Sequence, residues 1–242
     1  MIRPKKWVLC LLSLLLSFTG EIFAAATPSP ISYGPNGWAF DVGGQYTWMS
    51  LTTPPTYSGS TGGVIGKITY QNPWALFGQA RTVYNLGPLN SSSFYELYIE
   101  LVGGYCFSAN PHWTFTPYVG TGFDFITNNL STINLGYDTY YALIGFDSHY
   151  AWKNCTLGLQ FDFLPIFNQY LEVTHLPEAD WTLTSRVGFN IRLPVAYKIA
   201  EHIWMEIAPY YRWFPIGESD TLLLPERNLN QWGAFLTFRF LL

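Results

Sequence analysis

The chain alternates between apolar and polar residues in ten separate segments, most clearly over its last twelve residues, Gln231–Leu242. One alternate set of that segment is apolar throughout, whereas the other set carries Thr237 and Arg239. Successive side chains of a β-strand point to opposite faces, so this segment predicts a strand with one apolar and one polar face. A soluble β-sandwich would contain such strands too, so this segment alone does not distinguish a water-soluble protein from a membrane barrel.

The other nine segments are long enough to cross a bilayer as tilted strands, which takes ~9–11 residues. They are Gly37–Ser50, Gly62–Tyr70, Trp74–Tyr84, Phe94–Phe107, Trp113–Ile126, Asp138–Trp152, Cys155–Ile166, Trp181–Leu193 and His202–Phe214. Short stretches follow the even-numbered segments: Gln71–Pro73, Ser108–His112, Lys153-Asn154 and Pro194–Glu201. Longer stretches follow the odd-numbered segments: Leu51–Thr61, Asn85–Ser93, Thr127–Tyr137, Phe167–Asp180 and Pro215–Asn230. The sequence predicts an all-β fold, an antiparallel up-and-down transmembrane β-barrel of about ten strands, with short periplasmic turns and long extracellular loops.

The N-terminus and the composition agree with an exported membrane protein. Met1–Ala26 has a basic start, an apolar run of signal-peptide length and a small-residue cleavage site, so we expect a signal peptide followed by a barrel over 27–242. Aromatic residues make up 19% of the chain and charged residues only 12%, where roughly a quarter charged is usual. Without the first 26 residues, 9 basic and 15 acidic residues remain, a net charge of −6 that speaks against nucleic-acid binding.

Charged residues lie on the polar faces of the predicted strands and should therefore point into the barrel. They are Asp41, Lys67, Arg81, Glu96, Glu100, Asp124, Asp147, Asp162, Arg186, Arg192, Glu206, Arg212 and Arg239. Strands four to seven contribute five acids and no base, whereas strands eight to ten contribute four bases and one acid. We expect a charge-paired interior in which Arg186 and Arg212 face these acids; the alternative is a field across a narrow pore. Because side chains just fill eight-stranded barrels and open channels appear at ~16 strands, ten strands argue against a general porin.

The strand number and the alternation resemble the omptins, which are ten-stranded outer-membrane proteases, and Tyr141–Tyr150 and Leu157–Phe163 have that family's character. The resemblance implies an Asp–His pair and an Asp–Asp pair at the extracellular mouth that activate a water molecule. Asp147 and His149 form the only close Asp-x-His, and two residues on one strand face suit a proton relay. Their position near a short turn predicts the periplasmic end instead, so we assign them to the internal network.

The fourth long loop supplies Glu172, His175, Glu178 and Asp180 at the extracellular end, where a general base or a metal site could form. Polar loops carry such residues by default, and no second carboxylate pair stands out opposite them. GxSxG, HExxH, P-loop and CxxC patterns do not occur in the sequence. We therefore predict no catalytic residue, metal or cofactor, with Asp147, His149, His175 and Asp180 as the weak catalytic candidates.

These observations predict an outer-membrane barrel with a structural or surface-exposed binding role; narrow-pore permeation and omptin-like proteolysis are the alternatives. The aromatic-rich, glycine-punctuated sequence is also similar to the protochlamydial outer membrane protein family. The expected partners are outer-membrane lipids and lipopolysaccharide, an extracellular ligand of unknown kind, and the insertion machinery, which would read the terminal strand. A monomer is expected.

Overall fold

The structure is a computed structural model that describes residues 37–52, 56–90, 92–129, 134–173, 180–219 and 226–242. The signal peptide predicted at Met1–Ala26 lies outside these ranges. Within them, no helix has the length and apolar character that crossing a bilayer would require.

Thirteen β-strands are described, and they belong to one antiparallel sheet. They are β1 (Trp38–Thr52), β2 (Tyr57–Gln71), β3 (Leu76–Leu89), β4 (Ser92–Tyr105), β5 (Phe107–Ser108), β6 (Trp113–Asn129), β7 (Asn134–Trp152), β8 (Cys155–Val173), β9 (Asp180–Leu183), β10 (Arg186–Arg192), β11 (Val195–Ala200), β12 (Ile203–Ile216) and β13 (Arg227–Leu241). Antiparallel pairing runs from β1 around the wall to β13, and β1 pairs with β13, for example Asp41 with Arg239, which closes the sheet. β5 continues β4, and β9, β10 and β11 follow one another along β8. The wall therefore has ten staves, that is, ten strand positions around the barrel. The predicted all-β, ten-stranded antiparallel barrel is confirmed.

The barrel has two different ends. The terminal rim carries the start of β1, the end of β13 and the turns at 72–75, 109–112, 153–154 and 201–202. The loop rim carries the other connections, at 53–56, 90–91, 130–133, 174–179 and 217–226.

One predicted turn is wrong, because the wall does not end at Pro194. Val195 pairs with Leu157 of β8 and with Ile207 of β12, so the stave continues to Ala200. Proline has no N–H for the ladder, which is why it suggested a strand end. Here the neighbouring groups remain paired, since the Gly158 N–H donates to the Pro194 carbonyl at 2.7 Å. The turn of this hairpin is at 201–202.

The predicted long loops are also too long, because the strands run on towards the loop rim. β3 ends at Leu89 and β4 begins at Ser92, so most of the predicted loop Asn85–Ser93 is strand. β7 and β8 have 19 residues each, a length of about 60 Å at the usual rise per residue. An apolar band of ~25 Å needs less than that even for tilted strands, so the barrel projects beyond the membrane.

The outer wall is apolar from the terminal rim up to the level of Trp48 and Trp232, which we call the membrane section. Its side chains point away from the barrel and are exposed, for example Val64 at 60% and Leu101 at 55%. A water-soluble protein rarely exposes so large an apolar surface, whereas a membrane barrel presents it to lipid. Tryptophans lie at both edges of this belt, as interfacial aromatics do. They include Trp38, Trp74, Trp113 and Trp152 at the terminal rim and Trp48 and Trp232 above.

Between the Trp48 level and the loop rim lies the projecting section, in which the polarity of the two faces is reversed. Outward positions are small and polar, such as Ser93 and Asn230. Inward positions are apolar and buried, such as Leu89 and Leu229, which are both 0% exposed. The strands of this section follow the rule for a protein in water, with the apolar face inside.

Three inward rings rest on glycines directly opposite them on the next strand. Tyr141 lies over Gly122 and Tyr118 over Gly145, between β6 and β7, and His149 lies over Gly158 of β8. A Cβ atom at any of these glycines would lie 2.3–2.7 Å from the ring, much closer than van der Waals contact allows. Only glycine leaves room for the rings here.

Candidate functional site

The barrel interior is the candidate functional site, and its composition changes from one rim to the other. An apolar core fills the loop-rim end, a layer of ion pairs crosses the centre, and a polar cavity occupies the half next to the terminal rim. Along each strand the inward side chains are two residues apart, because every second side chain points inward. Inward side chains of different strands at the same height form a layer.

The apolar core contains side chains with relative exposures of at most 6%. Its members are Met49, Leu51, Leu89, Phe94, Tyr118, Ile126, Tyr137, Tyr141, Leu143, Leu164, Ile166, Leu171, Leu183, Phe214, Ile216 and Leu229. Nearly every stave supplies at least one of them, so they meet across the lumen. Packed apolar side chains of this kind exclude water and ions from the interior of the projecting section.

Arg212 of β12 is the centre of the ion-pair layer. Its Nη1 lies 2.8 Å from Glu96 of β4, and its Nη2 lies 2.8 Å from Asp124 of β6. The guanidinium also lies 4.8 Å from the centre of the Tyr98 ring and 4.4 Å from that of Phe214. One arginine thus joins opposite walls of the barrel and packs against the apolar core above it.

Neutral side chains complete this layer. Gln231 Nε2 donates to both carboxylate oxygens of Glu96, at 2.9 and 2.8 Å, and Asn85 Nδ2 donates to one of them at 2.8 Å. Sequence reasoning placed Gln231 on the polar face of its strand without giving it a role. The signal was available, since amides that alternate with charges on one face also point into the lumen.

A second pair lies beside the first. Arg81 of β3 is bonded to Glu100 of β4, both buried, and the Tyr141 hydroxyl donates to Glu100 at 2.9 Å. The ring of Tyr141 meets Phe214 edge-on with 5.8 Å between ring centres. Tyr141 therefore connects the ion-pair layer to the apolar core.

A cavity of about 70 Å³ lies in the half of the lumen next to the terminal rim. On one wall, Asp41 accepts hydrogen bonds from Arg239, at 2.7 and 3.2 Å, and is paired with Lys67; Arg239 also lies 3.6 Å from Glu206. Known small-molecule sites measure ~300–1,000 Å³, so this space suits a few waters and is too small for an organic substrate.

On the opposite wall, Asp162 of β8 accepts hydrogen bonds from the Tyr118 hydroxyl and from Asn190 Nδ2 at 2.7 Å. Arg192 of β10 lies 3.5 Å from the same carboxylate and 3.4 Å from Gln160 Oε1. This buried acid thus has partners on two other staves, Tyr118 of β6 on one side and Asn190 and Arg192 of β10 on the other.

Asp147 and His149 lie together on β7, with His149 Nε2 2.8 Å from the Asp147 carboxylate. Both line the cavity near the terminal rim, the end that the sequence indicated for them. The Asp147 side chain is 30% exposed, so solvent reaches the pair. The pair could move a proton, but the cavity beside it is too small to hold a peptide substrate.

Arg186 differs from the expectation that it faces the acids of strands four to seven. Its guanidinium lies 3.3 Å from Glu218 and 3.1 Å from Glu226, in the connection between β12 and β13 at the loop rim. The other twelve charged residues that the sequence places inside the barrel lie in the ion-pair layer or around the cavity.

The fourth loop lies only partly within the described residues. Asp180 begins β9, and its backbone pairs in register with that of Glu172 in β8. His175 and Glu178 lie outside the described residues. Among the residues that the structure describes, no group of three or more His, Cys, Asp or Glu side chains is arranged to hold a metal ion.

No protein-family model matches the sequence, and no curated protein matches it. The structure is similar to the outer membrane protease OmpT from Escherichia coli, with a TM-score of 0.57 and 8% identity over 88% of this chain and 99% of that chain. It is also similar to the translocator domain of the autotransporter NalP from Neisseria meningitidis, with a TM-score of 0.50 and 10% identity over 86% of this chain and 89% of that chain. At these identities the likeness concerns the fold alone. The protein is an outer-membrane-type β-barrel of omptin-like architecture.

Proposed function

We propose that the protein is a closed outer-membrane barrel that holds a rigid projecting section above the membrane as a structural or binding surface. The observation that carries this proposal is the filled lumen. The apolar core and the Arg212 layer lie one behind the other, so a solute would have to displace both. An ion entering the core would also lose its hydration without finding a partner.

The proposal includes an orientation. Outer-membrane barrels with an even number of strands have both ends and the short turns in the periplasm. The terminal rim would then face the periplasm, and the projecting section would face the outside, after export directed by Met1–Ala26. Tags inserted at 53–55 or 220–225 should be labelled on intact cells, and tags at Asn72 or Asn154 should not; the reverse labelling would contradict the orientation.

The proposed partners follow from this orientation in the membrane. Outer-membrane lipids and lipopolysaccharide would surround the membrane section, and the insertion machinery would read β13. The projecting section would present its polar outer face to an extracellular ligand. The protein would act as a monomer, since both edges of the sheet are used in closing the barrel.

The test is the conductance of the refolded mature protein in planar bilayers. A closed lumen predicts no steady current in the wild type, and none in Leu229→Ser, because the Arg212 layer remains. Combining Leu229→Ser with Arg212→Ser and Phe214→Ser should produce steady channels if the variant inserts. Steady wild-type channels would favour the narrow-pore alternative.

A peptidase assay in the presence of lipopolysaccharide examines the remaining alternative. OmpT is named as a protease, but the Asp–His pair found here lies at the opposite end from an extracellular mouth. We expect no cleavage of peptides by the wild type. Cleavage that is lost in His175→Ala while the barrel stays folded would move the function to the fourth loop.

A further inference from the structure

A groove of about 490 Å³ lies in the outer wall of the membrane section, close to the terminal rim. It is lined by Trp113, Ser148, Tyr150, Leu157, Gly158 and Leu159. Ser148 points outward between Phe115 and Leu159, its partners on the neighbouring strands. A serine among aromatic and aliphatic side chains leaves a shallow, open depression in the lipid-facing wall.

Aromatic and basic side chains gather at the rim end of this groove. The Tyr150 ring lies 5.7 Å from that of Trp113 and 5.9 Å from that of His112. In the next turn, the Lys153 ammonium lies 5.4 Å from the centre of the Trp152 ring. Rings and bases in this arrangement are typical of the level of lipid headgroups.

The acids around the groove do not compete for these bases. Asp147 of β7 and Asp162 of β8, two of the three strands that line the groove, point into the barrel and are bonded there to His149 and to Asn190. Glu201 belongs to a different turn, between β11 and β12. Lys153 is therefore a cation beside the groove that the ion pairs of the lumen leave available on the outer face.

We propose that this groove binds an anionic glycerophospholipid. One acyl chain would lie over Ser148, and the phosphate would be bound by the Lys153 ammonium. A membrane lipid is the occupant that fits, because the groove opens onto the lipid-facing belt and its charged end lies where headgroups are found. A free phosphate would leave the apolar part of the site unused. The inference does not depend on whether the lumen conducts.

Native mass spectrometry of the folded mature protein can test this site. The probes are phosphatidylglycerol and phosphatidylcholine with identical acyl chains. We expect one retained phosphatidylglycerol and an apparent affinity about tenfold lower in Lys153→Gln, with little change for phosphatidylcholine, because only the anionic headgroup gains from the charge. Ser148→Phe, which fills the groove, should weaken the binding of both lipids; Ser148→Leu serves the same purpose if the larger side chain impairs folding.

Lys198→Gln is the matched control. Lys198 lies at the same rim, but its position in β11 follows the inward face that carries the buried Ala196. Lipid binding should be the same in this variant as in the wild type. Equal losses in Lys153→Gln and Lys198→Gln would show a diffuse charge effect, and unchanged binding in both Ser148 variants would show that no acyl chain occupies the groove. Either result would overturn the proposal.

Discussion

The membrane section and the projecting section are built from the same strands with opposite polarity. In the first, Val64 and Leu101 face outward and Glu96, Asp124 and Arg212 face inward. In the second, apolar side chains such as Leu89, Leu229 and Ile216 face inward, and polar side chains such as Ser93 and Asn230 face outward. The period of two continues through both sections, and only the identity of the buried face changes.

This contrast shows that the solvent outside the wall decides what lies inside it. Lipid accepts apolar side chains on the outer face, so the lumen of the membrane section can be polar, provided that its charges are paired. Water around the projecting section drives apolar side chains inward. The two interiors therefore depend on different forces, and substitutions can test each separately.

The largest effect is expected for Arg212→Met, which removes the counter-charge of Glu96 and Asp124. Breaking a buried pair while its partner stays charged costs about 3–5 kcal/mol. We expect a corresponding fall in the free energy of unfolding, measured by urea titration in lipid vesicles. The triple variant Arg212→Met/Glu96→Gln/Asp124→Asn should recover part of the loss; a single variant as stable as the wild type would contradict the role of this layer.

Phe214→Ala should cost about 3–5 kcal/mol, because removing a fully buried aromatic side chain leaves a cavity in the apolar core. The matched control is Phe238→Ala on the outer wall, where lipid can fill the space that the ring leaves. The same urea titration compares the two variants. Equal losses would mean that the projecting section has no packed core.

Val64→Arg places a charge on the outer wall near the middle of the apolar belt, where it should cost about 2–4 kcal/mol. Ser93→Arg places the same charge on the outer wall of the projecting section, where water solvates it and the expected cost is close to zero. A large loss in Ser93→Arg would mean that the belt extends further than the Trp48 level.

The smallest effect is expected for Arg186→Gln. Its ion pairs with Glu218 and Glu226 are partly exposed, and such pairs contribute about 0–1 kcal/mol. Salt should reduce even this difference, which can be measured by unfolding at two ionic strengths. A loss as large as that of Arg212→Met would show that the loop rim, too, depends on buried charge.

The sequence was sufficient to predict the barrel and to predict which side chains of its membrane section point outward. Phe238 and Phe240 alternate with Thr237 and Arg239, and ten segments with this alternation predict strands that face lipid on one side. The strand ends are not predictable in this way, because the polarity of the two faces reverses near the loop rim and the pattern no longer resembles that of a lipid-facing strand. At Leu89 and Leu229 the apolar face is the inner one, so the extended strands were predicted to be loops.

The interior was predictable only in part for a related reason. Alternation tells which side chains point inward, but it does not tell which of them meet across the lumen. Arg212 lies 116 residues from Glu96 in sequence, and its contact depends on the register of every strand between them. Arg186 shows the limit, since its backbone pairs with the buried Ile166 while its side chain reaches acids of a connection that carries no periodic pattern.

The glycines beneath Tyr118 and Tyr141 have a consequence for how β6 and β7 find each other during folding. A hairpin can slip by two residues and still keep each face on its own side, so alternation alone does not select the register. Slipping one way would set Tyr118 against Leu143, and slipping the other way would set both rings against Asp124 and Asp147. Only the native alignment offers a glycine to both rings at once. The two rings therefore favour the native register of this hairpin, and they can do so before the barrel has closed.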